Sequence, residues 1–111
     1  MMNKYLQRFI THLEVEKGYS ENTIKTYTLI LLDFLAFLSE HRTRLKKAGK
    51  EEISSYVRVL RNERQNASRT IRLKLETLRS FFNFLTDQVH LFSHNPISGK
   101  DFKYKVETKE L

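Results

Sequence analysis

The sequence predicts an all-α fold, a compact bundle of four main helices followed by an extended C-terminal segment. Three observations carry that expectation. Only three glycines and one proline interrupt the 111 residues. The apolar residues are chiefly Leu, Ile and Phe set among Lys, Arg and Glu, so helix formers dominate over strand and turn formers. In four separate segments apolar residues recur at i, i+3, i+4 and i+7, the spacing of an amphipathic helix. The length suits one domain with a single core.

The first helix is expected from about Asn3 to Lys17, where Leu6, Phe9, Ile10 and Leu13 share a face. Gly18 ends it, because glycine past a helix adopts the left-handed conformation at little steric cost. Ser20 is placed to cap a second helix running to about Glu40, with Glu21 in the first turn favourable to the helix dipole. Its stripe is Ile24, Tyr27, Leu31, Phe34, Leu35 and Leu38. Leu29, Ile30, Leu32, Ala36 and Phe37 spread apolar character around its second half, so other helices are expected to enclose it.

From His41 to Lys50 the periodicity lapses, and Arg42, Arg44, Lys46, Lys47 and Lys50 appear with no acid among them. This reads as a basic connection. A shorter third helix, about Lys50 to Glu63, carries Ile53, Tyr56, Val57 and Leu60 on one face. Ser68 is expected to cap a fourth helix reaching about Val89, with the stripe Ile71, Leu75, Leu78, Phe82 and Leu85 widened by Phe81. Four such stripes satisfy one another in a bundle. Pro96 and Gly99 then break helix, and Phe102 to Leu111 alternates charges with single aromatics. The domain is accordingly drawn over residues 1–97 and a linker over 98–111.

Several function classes find no support in these residues. With no cysteine there are no disulfides and no thiolate metal site, as suits a reducing compartment. The apolar run Leu29 to Leu32 ends at Asp33, far short of the ~20 residues that span a bilayer. The first residues pass straight into a charged helical pattern without the features of a secretory signal, so a cytoplasmic location is expected. His12, His41, His90 and His94 form no metal-binding pair with supporting carboxylates and are read as surface residues. No glycine-rich phosphate loop and no serine elbow is present. Tyr5, Tyr19, Tyr27, Tyr56 and Tyr104 lack a nearby His and Arg cluster to activate a phenol. Neither cofactor nor metal nor small-molecule substrate is expected.

The formal net charge of +7 points toward polyanions, since Lys and Arg replace the counterions condensed on phosphate backbones. A solvated basic surface would have the same charge, so position must distinguish the two. Taking Ile71 as zero and 100° per residue, Arg79 falls at about 80°, Arg72 at about 100°, Asn83 at about 120° and Arg69 at about 160° on the fourth helix. Glu76, at about 140°, sits among them, and Lys74, at about 300°, is on the opposite flank. The flank suits contact with DNA phosphates or guanine edges, and it equally suits a salt-bridged surface with Glu76 paired to Arg79. Near the start of the second helix Asn22, Lys25 and Thr26 lie away from Ile24, with Ser20 and Thr23 beside them, where backbone N–H groups also favour a phosphate. These two surfaces and the Arg42 to Lys50 connection together favour a nucleic-acid partner.

Two stretches resemble a known family. Leu13 to Leu38, LEVEKGYSENTIKTYTLILLDFLAFL, joins an aliphatic helix end, a Gly-aromatic turn and Ser-Glu-Asn-Thr-Ile with a following Tyr. Ser68 to Pro96 begins SRTIRLKLETLRSFFNFL and leads through a loop to Asn95-Pro96-Ile97. In order and spacing they resemble the N-terminal SAM-like core-binding domain of tyrosine recombinases, the phage integrases and Xer-type recombinases, over about Lys4 to Ile97. The resemblance implies one half of a clamp on double-stranded DNA at a recombination site, with the second and fourth helices entering grooves. It places Ser20, Asn22, Thr23, Lys25 and Thr26 at DNA-facing positions of the second helix. Asn66, Ser68, Arg69, Thr70, Arg72 and Arg79 fall at or near those of the fourth. The family's catalytic domain uses Arg, Lys, His and a tyrosine nucleophile through a phosphotyrosyl intermediate, and no segment here matches its motifs. The expectation is a fragment that binds DNA without cutting or joining it, from a parent that assembles as a tetramer on DNA. Nor is an additional arm-type DNA-binding domain visible.

Three other readings compete. A protein-interaction bundle is favoured if Leu73 and Phe84, opposite the core stripe of the fourth helix, form an exposed apolar patch. A self-contained enzyme lacks a site that could be assembled from these residues. A basic helical surface also fits RNA duplexes, which competition between duplex types would separate.

Overall fold

The computed structural model describes residues 3–97, and these are all-helical. Helix α1 spans Lys4–Thr11 and continues into a π-type turn, His12–Glu16. Helix α2 spans Glu21–Glu40, and a single 3₁₀ turn, Leu45–Lys47, bridges to α3, Lys50–Arg58, which also runs into a π-type turn, Val59–Glu63. Helix α4 spans Ser68–Asp87. The expected four-helix architecture is therefore present, with helix ends within a few residues of those read from the periodicity. Residues 98–111, assigned from sequence to a linker, lie outside the described residues.

Side chains fix most of the helix starts. Asn3 Oδ1 accepts from the backbone N–H groups of Tyr5 at 2.7 Å and Leu6 at 3.3 Å. Ser20 Oγ accepts from Thr23 N at 3.2 Å, the cap expected for α2. At α3 the carboxylate of Glu52 reaches back to Gly49 N at 2.8 Å. The fourth start differs from expectation. Ala67 occupies the cap position with extended backbone, and Ser68 is the first helical residue.

The stops follow one backbone device, used four times. At the ends of α1, α3 and α4 a residue in the left-handed region follows the helix: Gly18 at φ 63°, Gln65 at 53° and His90 at 63°. In each case the residue before it closes a wide turn (Lys17 N to His12 O, Arg64 N to Val59 O, Val89 N to Phe84 O), and the residue after it reaches six positions back (Tyr19 N to Leu13 O, Asn66 N to Leu60 O, Leu91 N to Leu85 O). α2 ends on the tighter Schellman pattern, with Arg42 at φ 55°, Arg42 N on Ser39 O and Thr43 N on Leu38 O. Only one of the four left-handed residues is a glycine, so the other three carry the steric cost of their Cβ.

The stripes meet in one core that includes Leu6, Phe9 and Leu13 from α1 and its π turn, Leu31, Phe34 and Leu38 from α2, Ile53, Tyr56 and Leu60 from α3 and its π turn, and Ile71, Leu78, Phe82 and Leu85 from α4. A lattice of rings ties the four together. Phe9 meets Phe81 at 5.2 Å between centroids, Phe81 meets Phe82 at 6.0 Å, Phe82 meets Phe34 edge-on at 6.1 Å, and Phe34 meets Tyr56 edge-on at 5.1 Å. Offset and edge-to-face geometries of this kind are the favourable ones for aromatic pairs.

Two expectations about apolar faces are corrected. Phe84 is buried, because α1 crosses that flank of α4 and covers the ring with Phe9 at 5.4 Å and His12 at 5.0 Å. His12 is thereby half-buried rather than a free surface residue. Conversely, α2 is not enclosed all round. Leu29 is 62% exposed and Leu32 38% exposed, and Ala36 is exposed on the same outer side, where no neighbouring helix covers them.

The last described residues dock back on α4. Asn95 is buried, and its Nδ2 donates to Arg79 O at 3.1 Å and to Asn83 Oδ1 at 2.7 Å, while its Oδ1 accepts from Ile97 N at 2.9 Å. Ile97 is fully buried in the core.

Candidate nucleic-acid interface

Two helix segments present the residues singled out from sequence. On α2, Asn22, Lys25 and Thr26 are exposed, held outward because Ile24 and Tyr27 rest against the core. Ser20 and Thr23 are engaged with each other as well as with the cap: Ser20 Oγ donates to Thr23 Oγ1 at 3.0 Å. On α4, Arg69 and Arg72 are exposed, while Thr70 and Ser68 are partly covered. Asn66, partly buried in an otherwise exposed turn, precedes α4, and its Oδ1 accepts from Lys74 Nζ at 3.0 Å.

The helices that carry the two segments, α2 and α4, pack against each other, and Tyr27 of α2 responds to charge on α4. Its phenol is pushed above the usual tyrosine range by burial first, and then by the proximity of Tyr19 and of the Glu76 carboxylate. Glu76 stands on the flank of α4 that carries Arg72 and Arg79. Tyr19 packs edge-on against Tyr27 at 5.9 Å, closing the turn that brings α1 to α2.

Arg79 is placed differently from Arg69 and Arg72. Its Nη1 donates to Glu76 Oε2 at 2.7 Å, and its Nε donates to Ile97 O at 3.2 Å. The salt-bridged pattern foreseen for Glu76 and Arg79 is thus realised, with the exit segment as a further partner. Asn83 on the same flank is likewise engaged, by Asn95.

The basic connection stands apart from this surface. α2 is 20 residues long, about 30 Å from end to end, and the connection follows its far end. Leu45 and Ala48 anchor it in the core while Arg42, Arg44, Lys46, Lys47 and Lys50 are exposed. It forms a second basic edge rather than an extension of the first.

Sequence reasoning missed an ionic centre between α2, α3 and the turn before α4. Asp33 Oδ2 accepts from Tyr56 Oη at 2.5 Å and from Arg64 Nη1 at 2.6 Å. Burial opposes ionisation of Asp33, but the hydrogen bonds from Arg64 and Tyr56 and the Arg64 charge outweigh it and hold the carboxyl below the usual range. Burial, followed by the hydrogen bond and charge of Asp33, pushes the Tyr56 phenol far above its ordinary value. The hydrogen bond to Asp33 raises Arg64 in turn, against a smaller opposing effect of burial. The signal was legible: an acid between Leu32 and Phe34, inside a strongly apolar stretch, requires a partner.

Among the described residues no group of three or more His, Asp or Glu side chains is arranged to hold a metal ion, and no helix is long and apolar enough to cross a membrane. The exposed groups singled out on α2 and α4 are cations, amides and hydroxyls, chemistry suited to phosphate oxygens and base edges, with the acids Glu21 and Glu76 exposed among them.

Comparison with known proteins gives a consistent answer. Residues 6–89 match the model of the phage integrase N-terminal SAM-like domain. The chain is 30% identical over 101 residues to the tyrosine recombinase XerC of Leptospira interrogans, covering 91% of this chain and 32% of that protein. It is 32% identical over 98 residues to the XerC of Anoxybacillus flavithermus (87% and 32%), and 28% identical over 108 residues to the tyrosine recombinase XerD of Rickettsia conorii (96% and 35%). The chain therefore spans about a third of the length of the curated relatives it matches. No solved structure gives a significant match.

Proposed function

The chain belongs to the phage integrase N-terminal SAM-like domain family, and from that premise we propose that it is the duplex-DNA-binding module of a site-specific tyrosine recombinase acting in the cytoplasm. The contact surface in this reading is the start of α2, with Ser20, Asn22, Thr23, Lys25 and Thr26, together with the start and basic flank of α4, with Asn66, Ser68, Arg69, Thr70, Arg72 and Arg79. One observation carries it: Arg69 and Arg72 are exposed on α4, and Asn22, Lys25 and Thr26 are exposed on α2, the helix that packs against it. Arginine offers a planar fork to guanine edges and phosphates, while Lys25 and the N-terminal amides of α2 supply sequence-independent attraction. Arg79 sits at the edge of this surface with its guanidinium already shared between Glu76 and Ile97, and serves chiefly to hold the exit segment. Strand cutting and joining belong, in this reading, to a catalytic domain of the parent protein outside this chain, and the parent works as a tetramer on DNA.

The experiment is a salt titration of binding to duplex DNA, with an RNA duplex as competitor. Binding that weakens steeply with salt, with slope about −0.9 per phosphate neutralised, and that DNA wins over RNA is the expected result. Arg69→Ala and Arg72→Ala should each reduce affinity. The loss should be about 1–3 kcal/mol and sequence-dependent for a bidentate guanine contact, or uniform with a slope reduced by about one for a phosphate contact. Wild-type affinity in both variants overturns the α4 surface, and salt-independent binding to a protein partner would replace the DNA reading altogether.

A further inference from the structure

A half-buried acid in the middle of α2 is a cost to a protein whose task is to approach phosphates, and its bonding shows what the acid does instead. Asp33 uses one oxygen, Oδ2, for two donors from separate elements, Tyr56 of α3 and Arg64 of the turn that leads into α4. Arg64 opens that turn. Its backbone N–H closes on Val59 O, Gln65 follows in the left-handed region, Asn66 N reaches back to Leu60 O at 2.8 Å, and Asn66 Oδ1 is held by Lys74 of α4. The turn is thus tied to α2 through Arg64, to the end of α3 through the Asn66 backbone and to α4 through the Asn66 side chain. A non-glycine residue persists in left-handed backbone when its surroundings over-determine it, and the tie to α2 is the only one of the three that involves an ion pair.

We propose that Asp33 is a positioning residue for nucleic-acid binding: by anchoring Arg64 it fixes the turn from Arg64 to Ala67, and with it the place at which Asn66, Arg69 and Arg72 meet the duplex. The inference rests on the α4 surface proposed above and adds a residue that never touches DNA. It also sets the sign of an otherwise counterintuitive result. Removing an acid from a DNA-binding protein strengthens its attraction to phosphates on charge alone, whereas loss of positioning weakens binding.

The test titrates duplex DNA of mixed sequence with the full chain carrying Asp33→Asn, beside wild type and an Arg69→Ala, Arg72→Ala double variant. The neutral amide retains an acceptor for Tyr56 and loses the ion pair. The expected result is affinity reduced roughly tenfold, the size of about one lost contact, with a shallower salt slope despite the gain of one unit of net charge. Equal or tighter binding with an equal or steeper slope overturns the proposal, leaving Asp33 as an acid that merely masks Arg64. The double variant separates the two layers of argument. If it binds like wild type the α4 surface itself is wrong, and if it weakens while Asp33→Asn does not, only the positioning role fails. Backbone amide resonances of Arg69 and Arg72 supply a second readout, in Asp33→Asn and in Arg64→Gln, which breaks the same tie from the other side and serves if the first variant does not fold. They should move in the same direction in both, with Asp33→Glu returning them toward wild type. Resonances unmoved in a folded variant overturn the proposal.

Discussion

Asn95 donates its side-chain amide to Asn83 Oδ1 at 2.7 Å, joining the segment after the last helix to the outer flank of α4. The same amide satisfies the carbonyl of Arg79, and the Asn95 carbonyl oxygen receives Ile97 N, so one buried side chain serves three groups. Asn95→Ala should therefore lower stability by about 1–3 kcal/mol, since it leaves buried polar groups without partners. Asn83→Ala, on an exposed side chain, should cost less. Urea unfolding checks both, and an Asn95→Ala midpoint equal to wild type would show that the docked segment contributes nothing to the fold.

Leu73 and Phe84 lie close together in a helical projection but differ in environment. Phe84 is roofed by Phe9 and His12, whereas Leu73 is 44% exposed. Phe84→Ala should cost about 3–5 kcal/mol through lost burial and the cavity left behind, and Leu73→Ala should remain within about 0.5 kcal/mol of wild type. Equal effects in thermal melts would contradict the packing of α1 across α4.

Gln65 at φ 53° supports a prediction of opposite sign. A left-handed residue with a Cβ costs about 1–2 kcal/mol, while a glycine there gives back about 0.5–1 kcal/mol through its greater freedom in the unfolded chain. Gln65→Gly should accordingly raise stability by roughly 0.5–1 kcal/mol. A lower melting temperature would mean that the Gln65 side chain makes contacts worth more than the strain.

Acid should weaken the Asp33 centre in a defined direction. The Asp33 carboxyl titrates below its ordinary value in the fold, so its stabilisation is fully present above the unfolded value and is lost as pH falls through the folded one. The stability advantage of wild type over Asp33→Asn should thus be constant near neutrality and shrink below about pH 4. A difference independent of pH down to the acid transition would remove the ion pair from the account.

Periodicity made the helices legible because burial of one face is what it reports. Ile53, Tyr56, Val57 and Leu60 could scarcely face anything but a core, and they do not. What periodicity cannot report is which neighbour covers a second face. Phe84 sits about 220° from Ile71 on the wheel and is buried only because α1 crosses there, a tertiary fact absent from α4 itself. Leu29 and Leu32 err in the other direction, apolar yet uncovered. The helix ends near Glu63 and Val89 were foreseen, but not the left-handed residues that make them, Gln65 and His90, since these turns are closed by backbone bonds that any residue can make. At the candidate interface the exposed members, Asn22, Lys25, Thr26, Arg69 and Arg72, followed from helical projection. The engagement of Arg79 with Ile97, eighteen residues away, did not, because long-range partners have no local signature.

The ring lattice described above reaches all four helices, and its reach stops short of one place. Through the whole stretch from Glu21 to Leu29 no residue is buried, and Ile30 is the first that is. A helix whose core contacts are shared unfolds only with the rest of the molecule, whereas a stretch that borrows little of that packing opens by itself at far lower free energy. Amide hydrogens of α4 from Leu75 to Leu85 should therefore exchange only through global unfolding, and those of the first two turns of α2 much faster. A ligand gripping that end would slow their exchange selectively, so the least protected helix turns of the free protein double as the most sensitive reporters of its occupancy.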